Sequence, residues 1–277
     1  MNRGKLYGLC LVKNEDDIIA QSLTYAAQYC DRIFVLDNGS TDETWHIVQR
    51  MAQASDAVVP FAQTLKPYGD YLRGMVYEAL HKEFSDDDWW LIVDADEFLA
   101  EDPRPVIETA NEDGAHLINT WHIQFFFTEK DLEACQQGRD RRDTPIFDRR
   151  RYYHINTQEP RLFRNQTQPY QKVRVKDFVP DSLRRVCRRQ IFVRHYQFRD
   201  PDQIEKRLRL RYGHSLFPHV YSSDWRSVVC DSRGLILHRD GEPWRFTASG
   251  LLYFYRHRAR AKYDGAIRRL RGLLRGK

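Results

Sequence analysis

The chain has 277 residues, of which 42% are hydrophobic and 13% aromatic, enough for one large domain or a domain with an appendage. No apolar run has the length of a membrane span, and the first residues lack the apolar core of a signal peptide. The five cysteines are odd in number and form no Cys-x-x-Cys pair. The sequence therefore predicts reduced thiols in a cytoplasmic protein.

The net charge of +5 hides a strong asymmetry along the chain. Residues 1–137 contain 10 basic and 25 acidic residues, whereas residues 138–277 contain 34 basic and 14 acidic ones. The basic residues of the second half are mostly arginine, which suits phosphate recognition better than lysine does. The asymmetry has two interpretations, an anionic partner for the second half or basic faces that are merely solvated.

Strand and helix patterns alternate through the first hundred residues. Strands are predicted at 6–12, 32–36, 57–61 and 89–93, with helices that end near residue 29, cover 45–51 and run from 71 to 84. This alternation is typical of an α/β protein, with a mostly parallel sheet and helices on both faces. Right-handed crossovers place the ends of such strands at one edge of the sheet. The acidic residues that follow three of these strands, Glu15, Asp37, Asp94 and Asp96, are therefore expected to lie together.

The most informative stretch is the apolar run Trp89–Val93, which leads directly into Asp94, Asp96 and Glu97. On a continuing strand, Asp94 and Asp96 would point the same way, and two like charges repel unless a cation lies between them. Carboxylates that form an incomplete cage suit Mg²⁺ or Mn²⁺, with a phosphate completing the shell. A solvated acidic turn is the alternative. The glycine patterns of dinucleotide- and phosphate-binding loops are absent after the first strand, which disfavours a dehydrogenase or an ATPase.

The middle of the chain has a weaker pattern. Strand-like runs are predicted at 116–121, at 123–127 and at 190–194, just before His195. Between them, residues 135–159 are polar and basic, and we expect a mobile loop there.

The chain is predicted to be helical from Asp200 on. Residues 253–277 alternate arginine and lysine with leucine and aromatic residues. A basic amphipathic helix of this kind suits an anionic membrane surface or a nucleic-acid backbone. A helix packed on the rest of the chain, with its basic side solvated, is the alternative.

Three motifs stand at the ends of predicted strands: Val12-Lys13-Asn14-Glu15, Leu36-Asp37-Asn38-Gly39-Ser40 and Val93-Asp94-Ala95-Asp96-Glu97. In this order and spacing they resemble the family 2 glycosyltransferases, which are GT-A-fold, usually inverting enzymes that use nucleotide sugars. The resemblance covers about residues 5–100. Further along, Pro160–Arg164 and His195–Arg199 are also similar to segments of one branch of that family.

The resemblance implies a binding site for the nucleotide of the donor. Val12, Asn14 and Glu15 belong to the motif that closes around base and ribose. Asp37 resembles the carboxylate that accepts a hydrogen bond from the base, often uracil, and Arg73 resembles a basic residue near the nucleotide. A UDP-sugar is the expected donor.

The resemblance also implies a metal site and a general base. Asp94 would lie near ribose and metal, Asp96 would bind Mn²⁺ or Mg²⁺ directly, and His195 would return to the metal. For the base that an inverting enzyme needs near the acceptor hydroxyl, the matching position is Asp177. Three other carboxylates are alternatives, Glu129, Asp131 and Glu159.

Together these inferences predict a glycosyltransferase catalytic domain at 1–200, with a nucleotide-sugar half at about 1–100 and an acceptor half at about 101–200. A basic helical extension follows at 201–277. The acceptor is expected to be a cell-envelope glycan or its lipid-linked precursor, met by a protein that is cytoplasmic or peripheral at the inner face of the membrane. One alternative is a glycosyltransferase acting on modified bases of DNA. Another is a non-catalytic nucleotide-sugar or nucleic-acid-binding protein on the same scaffold, which the retained carboxylates disfavour.

Overall fold

One mixed sheet forms the centre of the molecule. The computed structural model describes residues 4–168, 180, 182–213, 217, 220–248, 250–252 and 255. The strands within these residues are β1 (Leu6–Val12), β2 (Arg32–Asp37), β3 (Val58–Gln63), β4 (Trp89–Val93), β5 (Glu97–Leu99), β6 (Leu117–Phe125), β7 (Tyr152–Arg164), β8 (Ile191–His195) and β9 (Ile236–Leu237). Their order in the sheet is β3-β2-β1-β4-β7-β6-β8-β5, and β9 pairs with β7.

Helices cover both faces of the sheet, as the α/β prediction requires. They are α1 (Ile19–Ala26), α2 (Thr44–Ala54), α3 (Tyr71–Leu80), α4 (Arg104–Glu112), α5 (Glu129–Gln136), α6 (Ile146–Arg149) and α7 (Pro201–Arg211). The apolar sides of α1, α2 and α4 pack into one buried cluster, and that of α3 packs into a second. The helix predicted over 71–84 ends at Leu80 and continues as one 3₁₀ turn, His81–Glu83.

The first four strands confirm the predicted parallel arrangement. β3, β2, β1 and β4 are neighbours in that order and all run parallel. Val12 stands opposite Asp37, and Cys10 stands opposite Val93, so the three strand ends reach the same edge. All five side chains of β4 are buried, as expected for a strand covered on both faces.

The second half of the sheet is mostly antiparallel. β7 lies between β4 and β6 and runs antiparallel to both, while β8 lies parallel to β6 and antiparallel to β5. The two runs predicted at 116–121 and 123–127 form the single strand β6. In this order β5, which directly follows Asp94 and Asp96 in the chain, lies at the opposite edge of the sheet from β3.

The predicted mobile loop at 135–159 is wrong. This stretch contains α6 and the first half of β7, and two of its arginines point inward. Arg149 and Arg150 are almost completely buried, and both donate to the carboxylate of Asp140, at 2.6 and 2.5 Å. Arg150 also lies 3.4 Å from Asp131. Buried charge that is paired in this way is structural, and polarity alone could not separate it from a solvated loop.

Asp140→Asn should destabilise the protein by about 3 kcal/mol, because it leaves two buried guanidinium groups facing a neutral amide. Chemical denaturation followed by fluorescence measures this free energy. The matched control is Asp143→Asn, which removes an exposed pair with Arg141 and should change stability by less than about 0.5 kcal/mol. Equal effects of the two substitutions would contradict a structural role for Asp140.

The helical run predicted from Asp200 is confirmed at Pro201–Arg211 and again at residues 248, 250–252 and 255, but not between these two parts. The side chain of Asp200 caps α7 by accepting from the backbone N–H of Gln203, and α7 ends at Arg211. Residues 220–247 contain two 3₁₀ turns and the short strand β9 instead of a helix, and Cys230 and β9 pair with Thr128 and with β7. The basic residues 256–277 lie outside the described residues, and the domain division at residue 200 stays a prediction.

No helix among the described residues is long and apolar enough to cross a membrane. All five cysteines are free thiols, in agreement with the predicted reduced state.

Candidate functional site

The loops after β1 and β2 are tied to each other at the edge of the sheet. Asn14 has a φ of 53°, in the left-handed region that asparagine tolerates. Its backbone N–H donates to the hydroxyl of Ser40, and its side-chain oxygen accepts from the N–H of Thr41. Asn14 therefore acts here as a brace between the two loops. Val12, from the same predicted set, is buried in the strand below.

Asp37 shapes the turn that follows β2. Its Oδ1 accepts from the backbone N–H groups of Gly39 and Ser40, both at 2.9 Å, and from Gln63 at 3.2 Å. Gly39 has a φ of 73°, which this tight turn requires. The other oxygen, Oδ2, is buried and has no hydrogen-bond partner among the described residues. Asp37 thus keeps one buried acceptor free, and its contact with a base stays a prediction.

Asp37→Asn should weaken binding of a free nucleoside diphosphate by roughly 10- to 100-fold, since a hydrogen bond to a charged acceptor contributes about 1.5–3 kcal/mol. The asparagine oxygen can still accept from Gly39 and Ser40, so the turn is kept while the free acceptor becomes a donor. Titration calorimetry measures the affinity, and a thermal melt checks the fold. Unchanged affinity in a folded variant would count against base recognition by Asp37.

Asp94 and Asp96 do not lie on a continuing strand, contrary to the prediction. The strand ends at Val93, and residues 94–97 form a turn in which the N–H of Glu97 donates to the backbone oxygen of Asp94. The turn separates the surroundings of the two carboxylates, which have different arginine partners. The repulsion between the carboxylates of Asp94 and Asp96 is therefore relieved, because each of them pairs with an arginine.

Asp94 is held by arginines from two elements. Arg73 of α3 forms a short ion pair with it, and Arg161 of β7 lies 3.3 Å from its Oδ2. Burial would raise the pKa of Asp94, but Arg73 and Arg161 together outweigh burial and hold the pKa below its usual range. Arg73 is thus next to Asp94, where the resemblance implied the nucleotide.

Asp96 is held from the opposite side by α7. Arg207 lies 3.0 Å from its Oδ2, and Nε2 of His195 lies 3.5 Å from the same oxygen. Burial would raise the pKa of Asp96, but Arg207 and His195 lower it far below the usual value. The pKa of His195 is raised, because Asp96 outweighs the burial that would lower it. His195 is therefore beside Asp96, and its binding to a metal stays a prediction.

Glu15 joins the first strand end to α7. Its carboxylate meets Arg207 at 3.1 Å and forms a short ion pair with Arg199, whose guanidinium also donates to Asp17 at 2.6 and 2.9 Å. Burial raises the pKa of Glu15 in spite of both arginines. Glu15 and Asp96 are thus bridged by the one guanidinium of Arg207.

A second group of side chains lies on the neighbouring strands. Glu97, His122 and His195 each offer a ligand atom, and these atoms all lie within 4.8 Å of one another. Burial, together with Arg161, lowers the pKa of His122 far below its usual value, so its ring is neutral. Burial raises the pKa of Glu97 to about 7, although Arg161 donates to its Oε1 at 2.5 Å.

Arg211 lies one turn beyond Arg207 on α7. Its guanidinium stacks on the ring of Phe217 at 4.6 Å and has no ion pair within the described residues. Burial and the nearby Arg207 lower its pKa to about 10, so it stays charged near neutral pH. Arg207 and Arg211, four residues apart, lie on the same side of the helix. They bring positive charge to the acidic edge.

The candidate bases are placed very differently. Asp131 is buried in the cap of α5, where its Oδ2 accepts from the N–H and hydroxyl of Thr128. The cap occupies this carboxylate, and its assignment as the base stays a prediction. Glu129 accepts from the N–H and hydroxyl of Ser232. Glu159 is half exposed and lies 3.4 Å from Arg161, so it borders the carboxylate cluster. Asp177 lies outside the described residues.

Several residues of the site were missed by sequence reasoning. Arg161 and Arg199 fall in the two later segments that resemble the family, and Glu97 directly follows Asp96, so these had a signal. His122 interrupts an apolar run, which hints at a special role. Arg207 is one of many arginines in its region, and nothing in the sequence distinguishes it.

Comparisons with known proteins give matches only among solved structures, since no protein-family model and no curated protein matches the chain. The mannosyltransferase PcManGT from Pyrobaculum calidifontis, in complex with GDP-Man and Mn²⁺, is 15% identical, with 52% of this chain and 49% of that chain covered and a TM-score of 0.35. TarS 1-349 from S. aureus is 14% identical, with 74% and 64% covered and a TM-score of 0.40. Glucosyl-3-phosphoglycerate synthase from Mycobacterium tuberculosis, in complex with Mn²⁺, UDP and phosphoglyceric acid, is 18% identical, with 49% and 50% covered and a TM-score of 0.29.

The chain spans about half of the mannosyltransferase and just under two thirds of TarS 1-349. At such identities and TM-scores the matches describe similarity alone, and what this chain does has to be inferred from its own site.

Proposed function

We propose that this chain is a metal-dependent glycosyltransferase that transfers a sugar, with inversion, from a nucleotide diphosphate sugar to an acceptor hydroxyl. The observation that carries the proposal is the gathering of carboxylates and arginines at one edge of the sheet. Asp37 ends β2, Asp94 and Asp96 follow β4, and both strands run parallel to β1 between them, so these carboxylates lie where open α/β sheets bind their ligands.

The charges of the site suit a nucleoside diphosphate. Asp37 offers the buried free acceptor for a base. Arg73 and Arg161 stand on one side of the acidic turn, and Arg207 and Arg211 stand on the other. Guanidinium groups at both sides can bind phosphate oxygens and stabilise the charge that develops on a diphosphate leaving group.

The residues at the turn also fit a divalent cation. Oδ2 of Asp96 is buried and, despite the nearby Arg207, accepts no hydrogen bond from the described residues. His195 would hold the ion, with Asp96 and Asp94 beside it. A bound Mn²⁺ or Mg²⁺ would polarise the diphosphate and lower the cost of its departure. Arg207 orients the carboxylate of Asp96, and Arg73 orients that of Asp94.

A screen of nucleotide sugars tests the donor proposal. The purified chain should be stabilised thermally by one class of nucleotide sugar, with UDP-sugars expected first, and should hydrolyse it slowly when a metal is present. Each donor is tested with Mn²⁺, with Mg²⁺ and with EDTA, and the parent nucleoside monophosphate serves as the matched control. Absence of stabilisation and hydrolysis across all donors and metals would overturn the proposal.

The acceptor is proposed from the sequence. A cell-envelope glycan or its lipid-linked precursor suits the leucines and aromatic residues interleaved with the basic residues of 253–277, since a phosphate backbone offers apolar side chains nothing. Cosedimentation of the full chain with anionic vesicles, set against retention on duplex DNA across a salt series, separates this acceptor from modified DNA.

A further inference from the structure

The cluster formed by Glu97, His122 and His195 has the composition of a transition-metal site. We propose that these three side chains are the protein ligands of the cation, and that the ion is one that accepts imidazole nitrogen, such as Zn²⁺, in preference to Mg²⁺. Asp96 then stands beside His195 at the rim of the ligand set. This inference deepens the proposed function. It rests on that function only in assigning the bound ion to sugar transfer.

Three adjacent strands build the cluster. Glu97 of β5 and His195 of β8 stand directly opposite each other in the sheet. His195 is also opposite Gln124 of β6, and His122 lies two residues before Gln124, on the same face. The strands therefore fix the spacing of the three side chains, with ligand atoms within 4.8 Å of one another. Sites on sheet strands are held more firmly than sites on loops.

Two atoms of the cluster are left without a hydrogen-bond partner in the described part of the chain. Nε2 of His122 and Oε2 of Glu97 are buried without a hydrogen-bond partner among the described residues, and both side chains are only 5% exposed. Nδ1 of His122 comes no nearer than 3.7 Å to Oε1 of Glu97. A buried polar group that is left unsatisfied destabilises the folded protein. An ion bound by both side chains would remove this destabilisation.

Neighbouring groups orient the ligands. Arg161 donates to Oε1 of Glu97 at 2.5 Å and leaves Oε2 free. Asp96 faces one ring nitrogen of His195 at 3.5 Å, in the manner of the carboxylates that stand behind metal-bound histidines. Two imidazoles and one carboxylate are typical of Zn²⁺ and related ions, whereas Mg²⁺ prefers an all-oxygen shell.

Cobalt(II) binding tests the assignment without a nucleotide. The full chain, stripped with EDTA and dialysed, is titrated with Co²⁺ and followed by its visible absorption, then challenged with Zn²⁺ and with Mg²⁺. One equivalent of Co²⁺ should bind, Zn²⁺ should displace it, and Mg²⁺ in large excess should not.

His122→Ala and Glu97→Gln should each lower the affinity for Co²⁺ by at least about 100-fold, because loss of a direct ligand should cost no less than loss of an outer partner. His46→Ala, which removes an exposed histidine of α2, is the matched control and should bind Co²⁺ like the original chain. Circular dichroism establishes that each variant is folded, and two different ligand variants guard against the misfolding of one.

Unchanged Co²⁺ affinity in both ligand variants, or displacement of Co²⁺ by Mg²⁺ as readily as by Zn²⁺, would overturn the assignment. Such a result would leave the donor screen untouched. Conversely, a chain that binds Co²⁺ as expected but no nucleotide sugar would refute the proposed function and keep the metal site.

Discussion

Asp96→Asn should lower the rate of sugar transfer by at least about 10³-fold, since it removes a carboxylate beside the cation and the diphosphate. The substitution keeps the shape of the side chain but leaves Arg207 and His195 facing a neutral amide. Metal should no longer strengthen nucleotide binding in this variant. Initial rates with the donor found by the screen, and calorimetry of the nucleoside diphosphate with and without Mn²⁺, measure both effects.

The control for Asp96→Asn is Asp56→Asn, which neutralises an exposed carboxylate between α2 and β3. It should leave rate and metal dependence unchanged. Asp96→Ala is made in parallel, and thermal melts establish that all three variants are folded. Normal turnover of folded Asp96→Asn in metal-containing buffer would refute a role for Asp96 at the cation.

Loss of the general base should slow transfer by roughly 10²–10⁴-fold while nucleotide affinity stays near normal. We expect this result for Asp177→Asn. A base acts on the acceptor hydroxyl and does not touch the nucleotide, so rate and donor binding should separate. Steady-state rates at saturating donor, with calorimetry of the nucleoside diphosphate, resolve the two quantities.

Two comparison variants make the base assignment decisive. Glu159→Gln alters the described candidate that borders Arg161, whereas Asp131→Asn alters the cap of α5. Asp131→Asn should reduce stability and leave the turnover of folded protein largely intact. If Glu159→Gln loses activity and Asp177→Asn keeps it, Glu159 is the base and the position inferred from the resemblance is wrong.

The nucleotide half of the fold could be predicted because its signals are local. Each of its strands is a short apolar run, and each acidic residue stands where its own strand ends, so spacing along the chain places them at one edge. The backbone conformation predicted for Asp94 and Asp96 was nevertheless wrong, because an Asp-x-Asp pattern does not distinguish a turn from a strand that continues.

The arginine side of the site could not be predicted from the sequence. Arg150 lies in a run of three arginines that has the composition of a solvated loop, yet its guanidinium is 1% exposed. Arg207 acquires its role only because α7 packs across the ends of β1 and β4. Such roles depend on contacts between distant parts of the chain, which composition and periodicity do not contain.

Some acidic residues of the first half of the chain pair with arginines of the second half inside the molecule. These pairs affect the order in which the site forms during synthesis. Glu15 meets Arg199 and Arg207 across separations of 184 and 192 residues. Closing loops of this length is entropically unfavourable, and long-range contacts form late in folding. The parallel strands of the first half can pair while the chain is still emerging from the ribosome, but their acidic edge must wait unpaired until α7 has been made. The proposed binding of a substrate would therefore be the last property to form, and a fragment that ends before α7 would lack the arginine Arg207 that pairs with Glu15 and Asp96.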